Sequence, residues 1–135
     1  MSAAFVVAQV EALARYCLTP GDWNNIAWAC LSSRQYLDWR SLSYEHANSQ
    51  AAANLASGQN PQSHWDVDML LGLGRFAIDQ TNYPEAVYAQ INEVATKAWK
   101  GIAEQRHGLG QPYQNFAGTH RTILRLYSMP HCGSY

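Results

Sequence analysis

The chain has 135 residues, 47% of them hydrophobic, and a formal net charge of -1. That length suits one domain able to bury roughly two-thirds of its unfolded surface, and the apolar content excludes a disordered chain. Near-neutral charge removes the electrostatic case for a nucleic-acid partner, and no apolar run approaches the ~20 residues that span a bilayer.

Phe5 to Arg15 reads as a first short helix, with Val6, Val10, Leu13 and Ala14 on its apolar face. Leu18-Thr-Pro-Gly-Asp-Trp23 is the sharpest local signal. Thr19 suits an N-cap, Pro20 the first helical position and Asp22 the reciprocal partner of a capping box. Leu18 and Trp23 flank the cap as a hydrophobic staple. The second helix is expected to run to about Leu31, with Trp23, Ile26, Ala27, Cys30 and Leu31 inward. A third, long helix is expected from about Arg34 to Ser57, capped by Ser33 and stopped by Gly58. Tyr36, Leu37, Arg40, Tyr44, Ala47, Ala51 and Leu55 recur on it at threes and fours. Its Ala-rich second half reads as projecting into solvent.

Residues 58–64 read as a loop, Trp65 to Leu71 as a short helix capped near Asp66, and Gly72 to Tyr83 as irregular. Pro84 to Glu104 is the strongest helix of the chain. Val87, Ile91, Val94, Ala95, Ala98 and Ile102 form one stripe, and the small Ala95 and Ala98 admit close neighbours. This helix is expected to be the post against which the others pack. Thr119 to Ser128 is a candidate last helix, ended by Pro130. No segment carries a strand signal.

Three blocks together resemble the N-terminal domain of an orthoretroviral capsid protein, closest to the betaretroviral Gag type. They are Leu18 to Trp23 continuing to Trp39, Asp66-Val-Asp-Met-Leu-Leu-Gly-Leu-Gly74, and Tyr88-Ala-Gln-Ile-Asn92 with Ala95-Thr-Lys-Ala-Trp99. The resemblance covers about residues 5 to 102. It implies an all-α bundle in which the helices around the Thr-Pro-x-Asp turn lie at or beside the hexamer centre, and a polar loop faces outward. The family's N-terminal proline, β-hairpin and first helix have no counterpart here, so an apolar groove is expected. Gly108, Pro112, Tyr113 and Phe116 look like an eroded major homology region, with Gln111 where the family has Glu. The resemblance thus divides the chain into a capsid N-terminal-like domain, 1–104, and a remnant with a tail, 105–135. It looks like a fragment of an endogenous Gag.

The residues that bear chemistry are scattered. His46, His64, His107, His120 and His131 form no His-x-x-x-His pair, and no Cys-x-x-Cys occurs, so no metal or other cofactor is expected. Cys17, Cys30 and Cys132 are odd in number and widely spaced, which reads as unlinked thiols in a reducing, cytoplasmic setting. Cys30 lies on a helix stripe and reads as a small buried hydrophobe. Asp66 and Asp68 read as capping and solvated carboxylates, not an acid/base pair. Gly72-Leu-Gly74 and Gly108-Leu-Gly110 lack the strand and third glycine of a phosphate loop. No acid, base and nucleophile assemble, so no enzyme is expected. The N-terminus has no basic n-region and Ser at position 2, so neither a signal peptide nor myristoylation, and no membrane partner, is expected.

The aromatics carry the functional reading. Five Trp are more than a domain this small is expected to bury, and Trp is enriched at interface hot spots. A self-association interface is expected around Val6, Val10, Trp23, Trp28, Tyr36 and Trp39. Only 14% of residues are charged, which leaves surface free for such contacts. The expected activity is that of a non-enzymatic capsid-derived protein forming a homodimer or higher oligomer. By resemblance it would join or interfere with retroviral Gag or capsid assembly, as a restriction-like factor. The alternative is a host adaptor that uses the fold to bind a cellular protein.

Overall fold

The computed structural model describes residues 3–105, with side chains from 7 to 103. The expected last helix, the homology-region remnant and the tail lie outside the described residues. Five helices follow in order: α1 (Ala3–Leu13), α2 (Pro20–Cys30), α3 (Ser33–Ala56), α4 (Val67–Leu71) and α5 (Glu85–Gln105). Short 3-10 turns stand at Gln62–His64 and Gly74–Phe76. No strand occurs among the described residues, and no helix there is long and apolar enough to cross a membrane.

The start of α2 follows directly from its residues. Thr19 Oγ1 accepts from Asp22 N at 3.1 Å, and Thr19 N donates to Asp22 Oδ2 at 3.0 Å. This capping box answers two amides that the helix cannot pair internally. The cap of α3 is Ser32, one residue before the expected Ser33. Gln35 stands three residues after Ser32 and accepts from its amide at 3.1 Å, while Ser32 Oγ accepts from Gln35 N at 3.2 Å. Ser33 would need Tyr36 in that role, and its side chain is too long and rigid to reach back. Asp66 caps α4 through Met69 N at 3.0 Å. Gly58 follows α3 with φ 67°, the left-handed conformation that ends helices cheaply only at glycine.

The central post is α5. It packs against α1, α3 and α4, most extensively against α3. Val87, Ile91, Val94, Ala95, Ala98 and Ile102 are all buried, as their spacing predicts. Pro84 lies just before the first helical residue and accepts from Val87 N at 2.9 Å. A Cβ on Gly101 would stand 2.8 Å from Leu42 Cδ1, so the Leu42 side chain of α3 packs directly over the bare glycine.

The stripe on α3 is the main departure from the periodicity reading. Leu37, Tyr44 and Leu55 are exposed, while Gln35, Tyr36, Trp39, Ser43, Ala47 and Asn54 are buried. Three of those buried residues are polar, so hydrophobicity alone points to the wrong face. The Ala-rich half is likewise not free in solvent. Asn54 is fully buried, donating to Trp65 O at 3.0 Å and to Gln90 Oε1 at 2.8 Å. Its Oδ1 accepts from Gln50, Gln62 and Gln90. That cluster clamps the α3–α4 connection onto α5.

Cys30 is fully buried, as its place on the α2 stripe predicts. Cys17 is disulfide-bonded, against the expectation of three unlinked cysteines. Spacing along a chain does not say which thiols the fold brings within reach.

Candidate functional site

An aromatic ladder runs from the surface to the core where α2 crosses α3. Trp28 is 66% exposed and meets Tyr36 edge-on, with ring centroids 5.0 Å apart. Tyr36 stacks on Trp39 at 6.3 Å, and Trp39 meets Trp99 of α5 edge-on at 6.3 Å. Such pairs add attraction beyond the area they bury. The polar ends are answered too. Tyr36 hydroxyl donates to Asn24 Oδ1 at 2.7 Å, and Trp39 Nε1 donates to Ala95 O at 3.3 Å. Arg40 lies over the Tyr36 ring at 6.0 Å. The result is an exposed indole backed by rings whose positions are fixed.

The six residues expected at an interface separate accordingly. Val10, Trp23, Tyr36 and Trp39 are buried within the single chain, and the side chain of Val6 lies outside those described. Trp28 is the one left at the surface, with Leu37, 65% exposed, on the neighbouring helix. Trp39 is among the residues expected at the interface, yet it is buried within the chain, where its indole donates to Ala95 of α5. Trp23 is held by a buried amide: its Nε1 donates to Asn92 Oδ1 at 2.8 Å. Asn92 Nδ2 in turn donates to Ala14 O at 3.0 Å and Tyr16 O at 3.1 Å. One asparagine on α5 thereby ties down both the α1–α2 connection and the start of α2. A buried polar on a helix stripe at the right register was the signal for it, and a hydrophobicity count passes over such a residue.

Beside the ladder lies a cleft of ≈ 260 Å³, between α2, α3, α4 and α5. Leu70, Ile91 and Val94 line its apolar part, and Asn24, Arg40 and Gln80 supply polar groups. Ser43 also lines it, with a buried hydroxyl that has no hydrogen-bond partner among the described residues. Gln80 crosses from the α4–α5 connection and accepts from Gly21 N at 2.9 Å. Gly72, at φ 70°, makes room for that: a Cβ there would run into the Gln80 amide nitrogen.

Titratable chemistry is sparse. No group of three or more His, Cys, Asp or Glu that could hold a metal ion occurs among the described residues. Burial pushes the Tyr83 phenol up to about 12, helped by Tyr88, Asp79 and Asp66 nearby. Asp79 is held below the usual carboxylate range by hydrogen bonds from the Thr81 amide and hydroxyl. Both lie in the α4–α5 connection, outside the ladder.

A helical bundle built around one long axial helix is consistent with the fold of a retroviral capsid N-terminal domain. Residues 1–106 match the gag protein p24 N-terminal domain, and the chain belongs to that family. It is 40% identical over 111 residues, 82% of its length, to an intracisternal A-particle Gag-related polyprotein of a mouse intracisternal A-particle. It is 41% identical over 97 residues, 71% of its length, to an IgE-binding protein of Mus musculus. A third relative, the Gag polyprotein of Mason-Pfizer monkey virus, is 33% identical over 134 residues, covering 90% of this chain. The matches span only 13%, 17% and 20% of those three proteins. The relatives fit a capsid domain of endogenous-retrovirus type.

Proposed function

We propose that this chain is a non-enzymatic capsid module that self-associates and, through the same face, joins or interferes with retroviral Gag assembly. The observation that carries this is Trp28. A large apolar ring exposed on a rigid aromatic stack costs little side-chain entropy when a partner covers it. Leu37 of α3 is a further exposed apolar side chain, and Tyr36 and Trp39 support the Trp28 indole from within. The division into a folded unit over 1–104 and a separate segment over 105–135, and a cytoplasmic site of action, belong to the same reading. Co-expression with a betaretroviral Gag tests it. The wild-type chain is expected to enter released particles or to reduce their yield, and Trp28→Ala to lose most of that effect. No incorporation and no change in yield would remove the assembly part.

A second reading, a host adaptor for a cellular protein, is favoured by the cleft. Its buried Ser43 hydroxyl lacks a partner among the described residues, and a ligand group reaching in would supply one. Arg40→Glu on the rim should then lose a cellular protein in a pull-down that Trp28→Ala retains.

A further inference from the structure

A second concave surface lies away from the ladder, between the C-terminal half of α3 and the start of α4. It is an open groove of ≈ 450 Å³. Ala51, Ala52, Leu55, Trp65 and Val67 give it an apolar floor, and Leu55 is 69% exposed. Asp66 and Asp68 stand along one side, both exposed, and no lysine or arginine among the described residues lines it. Neither carboxylate is in an ion pair among the described residues.

The groove is preformed. Its wall is the turn Gln62–His64 and the Trp65 backbone, and the buried Asn54 amide holds both. Asn54 donates to Trp65 O and accepts from Gln62, while a reciprocal amide pair with Gln90 fixes Asn54 itself. A partner therefore meets a surface it need not order first.

We infer that this groove docks a short cationic-apolar segment of a partner protein, one that sets a Leu-sized side chain on the Leu55–Trp65 floor and an Arg or Lys against Asp66 and Asp68. Charge complementarity selects that occupant. Two carboxylates with no cation of their own repel an acidic segment and favour a basic one. An apolar floor selects for a bulky side chain beside the charge. This surface is separate from Trp28, so the inference stands or falls independently of the assembly reading.

The probe is a fluorescein-labelled peptide of alternating leucine and arginine, followed by fluorescence anisotropy on the full chain. Its control is the same peptide with each arginine replaced by neutral, near-isosteric citrulline. The arginine peptide should bind saturably and more weakly at higher salt, and the citrulline peptide should bind at least several-fold more weakly. Asp66→Asn combined with Asp68→Asn should weaken binding by about ten-fold, while Asn at position 66 keeps the α4 cap. Leu55→Asp, at an exposed position, should abolish it with the helical circular dichroism unchanged. Absence of saturable binding, equal binding of the citrulline peptide, or full affinity in either variant would overturn the inference.

Discussion

Single side chains do more of the organising here than their chemistry suggests. Asn92 accepts from Trp23 and donates to two backbone carbonyls at once, and truncating it removes all three hydrogen bonds. Each buried group left unpaired costs ~1–3 kcal/mol, so Asn92→Ala should destabilise the chain by about 3 kcal/mol or more. A denaturant midpoint with an unchanged slope would record it; a loss below ~1 kcal/mol would mean water replaces the amide. Tyr83 makes a different prediction. Its buried hydroxyl has no partner, and its ionisation is pushed up to about 12 from an ordinary value near 10. A group whose folded pKa is raised stabilises the fold below the unfolded pKa and loses that contribution as pH rises through the folded one. Stability should therefore fall between pH 10 and about 12, and Tyr83→Phe should flatten that fall. Ultraviolet titration of the tyrosines should show a late-titrating phenol that disappears in Tyr83→Phe.

At the scale of elements, the sequence was readable where local chemistry decides and misleading where packing decides. The α2 cap, the α4 cap at Asp66, the Gly58 stop and the α5 stripe were all legible, because each needs particular residues at fixed offsets. On α3 the buried face contains Gln35, Ser43 and Asn54, and the exposed face contains Leu37, Tyr44 and Leu55. Apolar periodicity holds there for Tyr36 and Ala47, which are buried, and fails for Leu37, Tyr44 and Leu55, and that failure hid the Asn54 clamp. The α3 start shows the same lesson in miniature. Two adjacent serines look equivalent until the residue three positions on is considered. Ser32→Ala should cost ~1 kcal/mol and Ser33→Ala only a few tenths, read from paired thermal unfolding curves. Equal effects would contradict the capping box at Ser32.

For the molecule as a whole, the fold class and the family were legible from three sequence blocks, whereas the candidate surface was legible only in part. Trp28 stood out as lying off the inward stripe of α2, and the structure leaves it exposed. Its companions in the expected interface, Val10, Trp23, Tyr36 and Trp39, instead build the core behind it. That arrangement makes the surface small and dependent on one indole. A hot spot of this kind typically carries 2 kcal/mol or more, about thirty-fold in affinity. Since Trp28 is 66% exposed, its truncation should spare the fold. Light scattering across a range of concentrations, on the wild-type chain and on Trp28→Ala, tests this most directly. The account predicts a mass that rises above that of the 15.1 kDa monomer in the wild type and stays monomeric in the variant, with matching circular dichroism. A wild-type chain that remains monomeric at every concentration, or a Trp28→Ala variant that associates equally well, would contradict it.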